Sequence, residues 1–236
     1  MKFKDKIVIV TGASSGIGES IAEAFATEGA NVITVARRSN LLVEKVSNSK
    51  GKLFPFKADL TKDNEVEKLI ASVVNKFGKV DILVNNAGIA LGGKIDDFSM
   101  KDFDDMFNLN IRGLYFCTKL VIPIMKKQKS GIIINISSGS GKKGSPTQSA
   151  YGASKAAVIK MSESIAEELK EYKIKVHTVC PGMVAVKNHY PNLKKEKILQ
   201  PSDVADLTIF LAKLPQRVNI PEVTIVPYYP IHMLRD

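Results

Sequence analysis

Tyr151 and Lys155 stand four residues apart near the predicted start of a helix, a spacing that turns both side chains to one face. A phenol placed there can give and take a proton, but its ordinary pKa of about 10 is too high for efficient transfer near neutrality. A neighbouring ammonium favours the phenolate and so lowers that value. Thirteen residues before the tyrosine, Ser138 ends a predicted strand with a hydroxyl able to hold a substrate oxygen. Ser137 is the weaker choice, because side chains alternate faces along a strand. Taken alone, a Tyr–Lys pair at helical spacing is usually surface, and an asparagine such as Asn110 inside a helical pattern is usually a polar filler.

A second feature gives the first its context. Thr11-Gly12-Ala13-Ser14-Ser15-Gly16-Ile17-Gly18 lies where an apolar run, Ile7 to Val10, meets a helical pattern of Ile17, Ile21 and Phe25. Glycines there permit a tight turn, close approach of backbone to a pyrophosphate and close helix–strand packing. The N–H groups and positive dipole at the helix start favour a bound anion. The spacing is G-x-x-x-G-x-G rather than G-x-G-x-x-G. At the end of the second predicted strand stand Arg37 and Arg38, with no carboxylate. An acid there accepts from a ribose 2′-hydroxyl and repels a 2′-phosphate, whereas guanidinium forks suit phosphate oxygens. The pattern therefore favours NADP(H), although the glycine loop itself carries Ser14 and Ser15 where a basic residue could also have served.

Together these motifs resemble the classical short-chain dehydrogenases/reductases over about residues 6–206. The resemblance rests on the glycine loop, Asp59, Asn85-Asn86-Ala87-Gly88, Asn110, Ser138, Tyr151-x-x-x-Lys155 and Pro181-Gly182. It implies Tyr151 as general acid and base, Lys155 as the residue that holds ribose and tunes the tyrosine, and Ser138 as the substrate-orienting hydroxyl. Asn110 is implied as anchor of a proton-relay water. For the cofactor it implies Gly12, Ser14, Ser15, Gly16, Ile17, Gly18, Arg37, Arg38, Asp59, Leu60, Asn86, Ala87, Gly88, Tyr151, Lys155, Pro181, Gly182 and Val184. Asp59 is the match for a contact to the adenine amino group. Relatives usually carry a threonine against the nicotinamide amide, where this chain has Val186. Ser140, Lys143, Met183 and Tyr190 are expected to line the substrate pocket, and 187–200 to form a lid. The C-terminal run from Asn219 to Pro227 resembles the branch acting on small hydroxy acids, where Lys143 or Lys187 could pair with a carboxylate.

These side chains must be positioned by alternating strands and helices. Strands are expected at 7–10, 32–36, 53–56, 82–84, 132–136, 175–179 and 223–226. Helices are expected from 17 to the cap at Gly29, then over 62–77, 101–127 and 151–171. Pro123 marks a kink or early end of the third, and Thr61 is the N-cap candidate for the second. Alternation of this kind predicts a doubly wound, Rossmann-like parallel sheet of about seven strands with helices on both faces. The 236 residues fit one such domain, spanning 1–236.

No apolar stretch approaches the roughly 18 residues of a membrane span, and the N-terminus lacks signal-peptide features. Cys117 and Cys180 show no metal-ligand spacing, and His177, His189 and His232 are isolated. Cytoplasmic placement follows as the expectation. The net charge of +10 comes from scattered lysines with short clusters at Lys126-Lys127, Lys142-Lys143 and Lys194-Lys195, which describes a solvated surface and not a nucleic-acid footprint. The expected partner is a small carbonyl or alcohol. A homotetramer or homodimer is also expected, with Gly152, Ala153, Ala156 and Ala157 allowing close helix approach. Two alternatives stand beside this NADP-dependent oxidoreductase: an NAD-linked alcohol or hydroxy-acid dehydrogenase, and a catalytically silent dinucleotide sensor.

Overall fold

In the first strand, β1 (Ile7–Thr11), every side chain is buried, and alternate residues serve two different cores. Val8 and Val10 join one apolar cluster with Ile21 and Phe25, while Ile7 and Ile9 join another with Leu69 and Val121. A strand buried on both faces in this way needs helices above and below it. The computed structural model describes residues 2–37, 51–186, 190 and 192–234, and supplies them. After β1 come α1 (Gly16–Thr27), β2 (Asn31–Ala36), β3 (Lys52–Lys57), α2 (Asp63–Phe77) and β4 (Ile82–Asn85). Then follow α3 (Met100–Phe107), a π-helical turn (Asn108–Gly113), α4 (Leu114–Gln128), β5 (Gly131–Ile136), α5 (Ser149–Leu169) and β6 (Ile174–Pro181). The chain closes with α6 (Pro201–Lys213), β7 (Glu222–Ile225) and the short α7 (Ile231–Leu234).

The seven strands form one parallel sheet in the order β3-β2-β1-β4-β5-β6-β7. The order reverses between β1 and β4, so a crevice opens beyond the carboxyl ends of these strands, the usual ligand position in such sheets. The first apolar cluster lies under α1 and α6, the second under α2, α4 and α5. Pro55 sits in edge strand β3, the position in a sheet that tolerates a residue with no N–H to donate.

Three expectations need correction. Thr61 does not cap α2; the N-cap is Lys62, and the Thr61 hydroxyl instead donates to Asp59 Oδ1 at 2.8 Å. Pro123 does not end α4, which continues to Gln128 with the proline on its exposed side. The break in the long helix falls earlier, in the π-helical turn at 108–113. Third, α6 occupies 201–213, where no helix was expected. It opens with a reciprocal cap between Gln200 and Asp203 and with Pro201 in its first turn.

Strand β6 is buried throughout and carries two basic residues. The Lys175 ammonium donates to the carbonyls of Leu214, Pro215 and Val218 at 2.8–2.9 Å, closing the C-terminal end of α6. His177 Nδ1 donates to the Ile220 carbonyl at 2.7 Å, and its Nε2 is buried without a partner. Burial pushes this imidazole below its ordinary value, and Lys175 nearby adds to the effect. A depressed histidine pKa favours the neutral form in the folded state. The contribution is therefore present above the unfolded value of about 6.5 and is lost as pH falls below it. The expected result is a thermal midpoint that drops between pH 7 and pH 5, with a smaller drop in His177→Asn; equal drops in the two proteins would rule His177 out as the cause.

Candidate active site

The glycine loop is clasped from the other side of the crevice. Thr11 Oγ1 accepts from the N–H groups of Asn86 and Ala87 at 3.0 and 3.1 Å, and Asn86 Nδ2 donates to the carbonyls of Thr11 and Gly12. Gly12 has φ +65°, and a Cβ on it would stand 2.7 Å from Ala87 Cα, so no other residue fits the turn. Ser15 occupies the N-cap of α1, but its side chain makes no capping bond, which leaves the first-turn N–H groups to a ligand. This arrangement fits a bound pyrophosphate. Val186 lies against Gly16, where a Cβ would come within 3.0 Å of its Cγ1, and packs partly into the core beneath α1.

Other predicted cofactor residues surround this cradle. Arg37 is exposed at the end of β2, and its charge reaches Asp59; Arg38 lies outside the described residues. Burial raises the Asp59 pKa, but hydrogen bonds from Thr61 and the charge of Arg37 outweigh it and hold the carboxyl below its usual value. Leu60 and Val184 point into the interior, 6% and 5% exposed, so only their backbone can reach a ligand. Val184 is also bridged to Leu199, and Ala185 N–H donates to the Leu199 carbonyl at 2.7 Å. Residues 198–199 of the expected lid are thus buried at its root, while Lys187 and His189 lie outside the described residues.

The residues expected to handle the proton converge at the carboxyl end of β5. Ser138 Oγ accepts from Ser140 N–H at 3.2 Å, and the same hydroxyl lies near enough to the Tyr151 phenol to pull its pKa down. With its lone pair engaged by Ser140, the Ser138 proton is free to point at the phenol oxygen. Ser137 faces the other way, donating to the Lys155 carbonyl at 2.8 Å. Burial pushes the Tyr151 phenol above its usual value, the Ser138 hydroxyl pulls it down, and Tyr190 raises it further. The lowering expected from Lys155 is not among these influences; burial dominates and the phenol stands above its ordinary value. Lys155 is 5% exposed, donates from Nζ to the Ile136 carbonyl at 2.9 Å and lies 6.0 Å from the Tyr151 ring centroid. Its burial lowers the ammonium pKa to about 8.

Asn110 sits in the π-helical turn, an element that often marks functional sites. Its amide exchanges two hydrogen bonds with the backbone of Ile89, both 2.9 Å, and Nδ2 also donates to Ser154 Oγ at 3.1 Å. A Cβ on Gly88 would stand 3.0 Å from Asn110 Oδ1 and 3.4 Å from Lys155 Nζ, so the small residue keeps open a gap bordered by both polar groups.

On the pocket side, Ser140 Oγ meets Gln148 Oε1 at 3.4 Å, Lys143 is exposed, and Met183 is half-buried. Tyr190 has φ 54°, an uncommon conformation for a bulky residue. Gln148 was not anticipated, although its place three residues before Tyr151 puts both on one helix face.

The family profile described as short chain dehydrogenase matches residues 6–197. The chain belongs to the short-chain dehydrogenase family. Among curated relatives of this oxidoreductase, an uncharacterized oxidoreductase of Staphylococcus epidermidis is 36% identical over 96% of this chain and 99% of its own length. Another, from Staphylococcus aureus, is 37% identical over 94% and 97%. Among solved structures, a metagenomic short-chain oxidoreductase in complex with NADP superposes with a TM-score of 0.84 at 30% identity, covering 97% of this chain and all of the other. Serine dehydrogenase from Escherichia coli gives 0.85 at 33% identity, covering 94% and 97%. Among the described residues of this short-chain dehydrogenase, no helix is long and apolar enough to cross a membrane, and no cluster of three or more His, Cys, Asp or Glu side chains could hold a metal ion.

Proposed function

We propose that this chain is an NADP(H)-dependent enzyme interconverting a small carbonyl compound and its alcohol, with Tyr151 as general acid and base. The observation that carries the reading is the convergence of the Ser138 hydroxyl, held by Ser140 N–H, with the Tyr151 phenol and Lys155, facing a glycine cradle across the crevice. When bound, NADPH supplies the hydride that reduces the carbonyl carbon. Ser138 steadies the charge developing on the oxygen, and Tyr151 gives that oxygen its proton. Lys155 would hold the ribose and, as an ammonium, favour the phenolate that must form. The gap between Asn110 Oδ1 and Lys155 Nζ is suited to a water that returns the proton.

Arg37, at the end of β2 where the sequence Val35-Ala36-Arg37-Arg38-Ser39 carries no carboxylate, supports NADP over NAD, and the solved relative that holds NADP agrees with it. Likeness to serine dehydrogenase, with the C-terminal run around β7, supports a small hydroxy acid as the alcohol, and the exposed Lys143 is a reasonable partner for its carboxylate.

The test is binding of NADPH against NADH to the purified chain, followed by turnover on a panel of small aldehydes, ketones and 3-hydroxy acids. Preference for NADPH with turnover on acids is the expected result. Tight binding with no turnover on any member would favour the silent sensor, and activity confined to bulky apolar ketones would overturn the hydroxy-acid reading.

A further inference from the structure

The Ser154 hydroxyl lies between Tyr151 and Lys155 in sequence and is 0% exposed. It accepts from Asn110 Nδ2 at 3.1 Å and donates to the Tyr151 carbonyl, three residues back, at 2.8 Å. Asn110 is itself held by both backbone groups of Ile89. A continuous line of hydrogen bonds thus runs from the segment after β4, through the π-helical turn, into the first turn of α5. The backbone at the far end of that line carries the phenol. The donors of Asn110 Nδ2 and of the Ser154 hydroxyl are all committed to protein acceptors, so the line sets how α5 crosses the π-helical turn and how its first turn is rotated.

A second hydroxyl on α5 supplies a comparison. Ser162 is also buried, accepts from Asn135 Nδ2 at 2.8 Å and donates to the Val158 carbonyl at 2.6 Å. The chemistry is the same, but Ser162 lies two turns beyond Lys155, and Asn135 leads on to Asn85 and Thr118 in the interior and not to the crevice. If these hydroxyls merely attach α5 to the sheet, their removal should have equal consequences.

We propose that Ser154 is a positioning residue for the reaction, fixing the Tyr151 turn of α5 against Asn110. The proposal rests on the assignment of Tyr151 as the proton-handling group. The groups facing that phenol are Ser138, Lys155 and Tyr190. Freed from Asn110, the first turn of α5 admits water to the phenol, and its burial weakens.

The experiment compares Ser154→Ala, Ser162→Ala and Tyr151→Phe with the parent chain. Melting temperature, NADPH affinity, turnover on the best carbonyl of the panel and ultraviolet titration of the cofactor-free phenol are measured, the last assigned by difference against Tyr151→Phe. Ser154→Ala is expected to lower kcat about 10- to 100-fold, as a displacement near 1 Å can, and to bring the Tyr151 titration closer to that of an ordinary tyrosine. Ser162→Ala should lower the melting temperature comparably while leaving kcat and titration unchanged. Equal effects of the two serine variants on kcat and titration, or none from Ser154→Ala, would overturn the proposal while Tyr151→Phe is inactive. Activity in Tyr151→Phe would instead overturn the assignment on which it rests. Should Ser154→Ala not fold, Ser154→Cys is read by the same criteria, because its thiol fills the space with a weaker donor and acceptor.

Discussion

Tyr151→Phe should lower turnover by about 100- to 10,000-fold, the contribution typical of a positioned acid or base, while NADPH binds as before. The substitution removes one oxygen and leaves the ring, which is held among buried neighbours. Its effect on the fold is small, because Ser138 beside the phenol remains held by Ser140 N–H. The cofactor cradle is built elsewhere, from Gly12, Thr11 and Asn86, and does not use the phenol. Stopped-flow oxidation of NADPH with an active carbonyl, set beside fluorescence titration of the nucleotide, separates the two effects. A variant that keeps half its turnover would remove Tyr151 from the mechanism, and a variant that loses NADPH binding would show the ring's role to be structural.

The cofactor loop was legible because its signals agree at every level. A four-residue apolar run, glycines at positions of tight approach and a period near four after the loop all call for strand, turn and helix. The grouping of Ser138, Tyr151 and Lys155 was legible for a different reason: their spacing within one strand end and one helix turn is local. Even so, the direction of the Tyr151 pKa was not. Its phenol is held up by burial, which depends on what closes over it, and nothing in a Tyr-x-x-x-Lys spacing reports that.

Two elements escaped for physical reasons. Helix α6 hides its apolar stripe, because Thr208 is on the buried face and Phe210 is half-exposed on the other. Thr208 can be buried because its hydroxyl donates to the Val204 carbonyl at 2.8 Å. The capping signal Gln200-Pro201-Ser202-Asp203 was nevertheless present and could have marked the start. The π-helical turn left no such trace. Its identity as π rather than α depends on which carbonyl each N–H meets, and Asn110 is turned inward by Ile89, a residue 21 positions away. Ser154 follows from the same contact, so a role for it could be argued only with the crossing of these helices in view.

Arg37→Glu should reverse the nucleotide preference, and the expected change is second only to that of Tyr151→Phe. Hydrogen bonds to charged groups contribute about 1.5–3 kcal/mol, so loss of the guanidinium alone predicts about 10- to 100-fold weaker NADPH binding. The new carboxylate adds repulsion toward a 2′-phosphate and can accept from the free 2′-hydroxyl of NADH, so the ratio of the two affinities moves further than either alone. One feature of the site works against phosphate and must be weighed. Asp59 lies within reach of Arg37 and is held in its anionic form. Its Oδ1 is, however, turned into its own loop, accepting from Thr61 N–H at 3.0 Å and from the Thr61 hydroxyl at 2.8 Å, so much of its charge is already answered. Arg37 is exposed and free of that turn, and an exposed guanidinium close to a partly satisfied carboxylate still presents net positive potential to an incoming phosphate. Titration of both nucleotides against both proteins, at two salt concentrations, measures this directly. A selectivity ratio that rises for NADH, with a weaker salt dependence for NADPH, places the phosphate at Arg37; an unchanged ratio moves that contact off Arg37 and leaves the preference to be carried by residues beyond the end of β2.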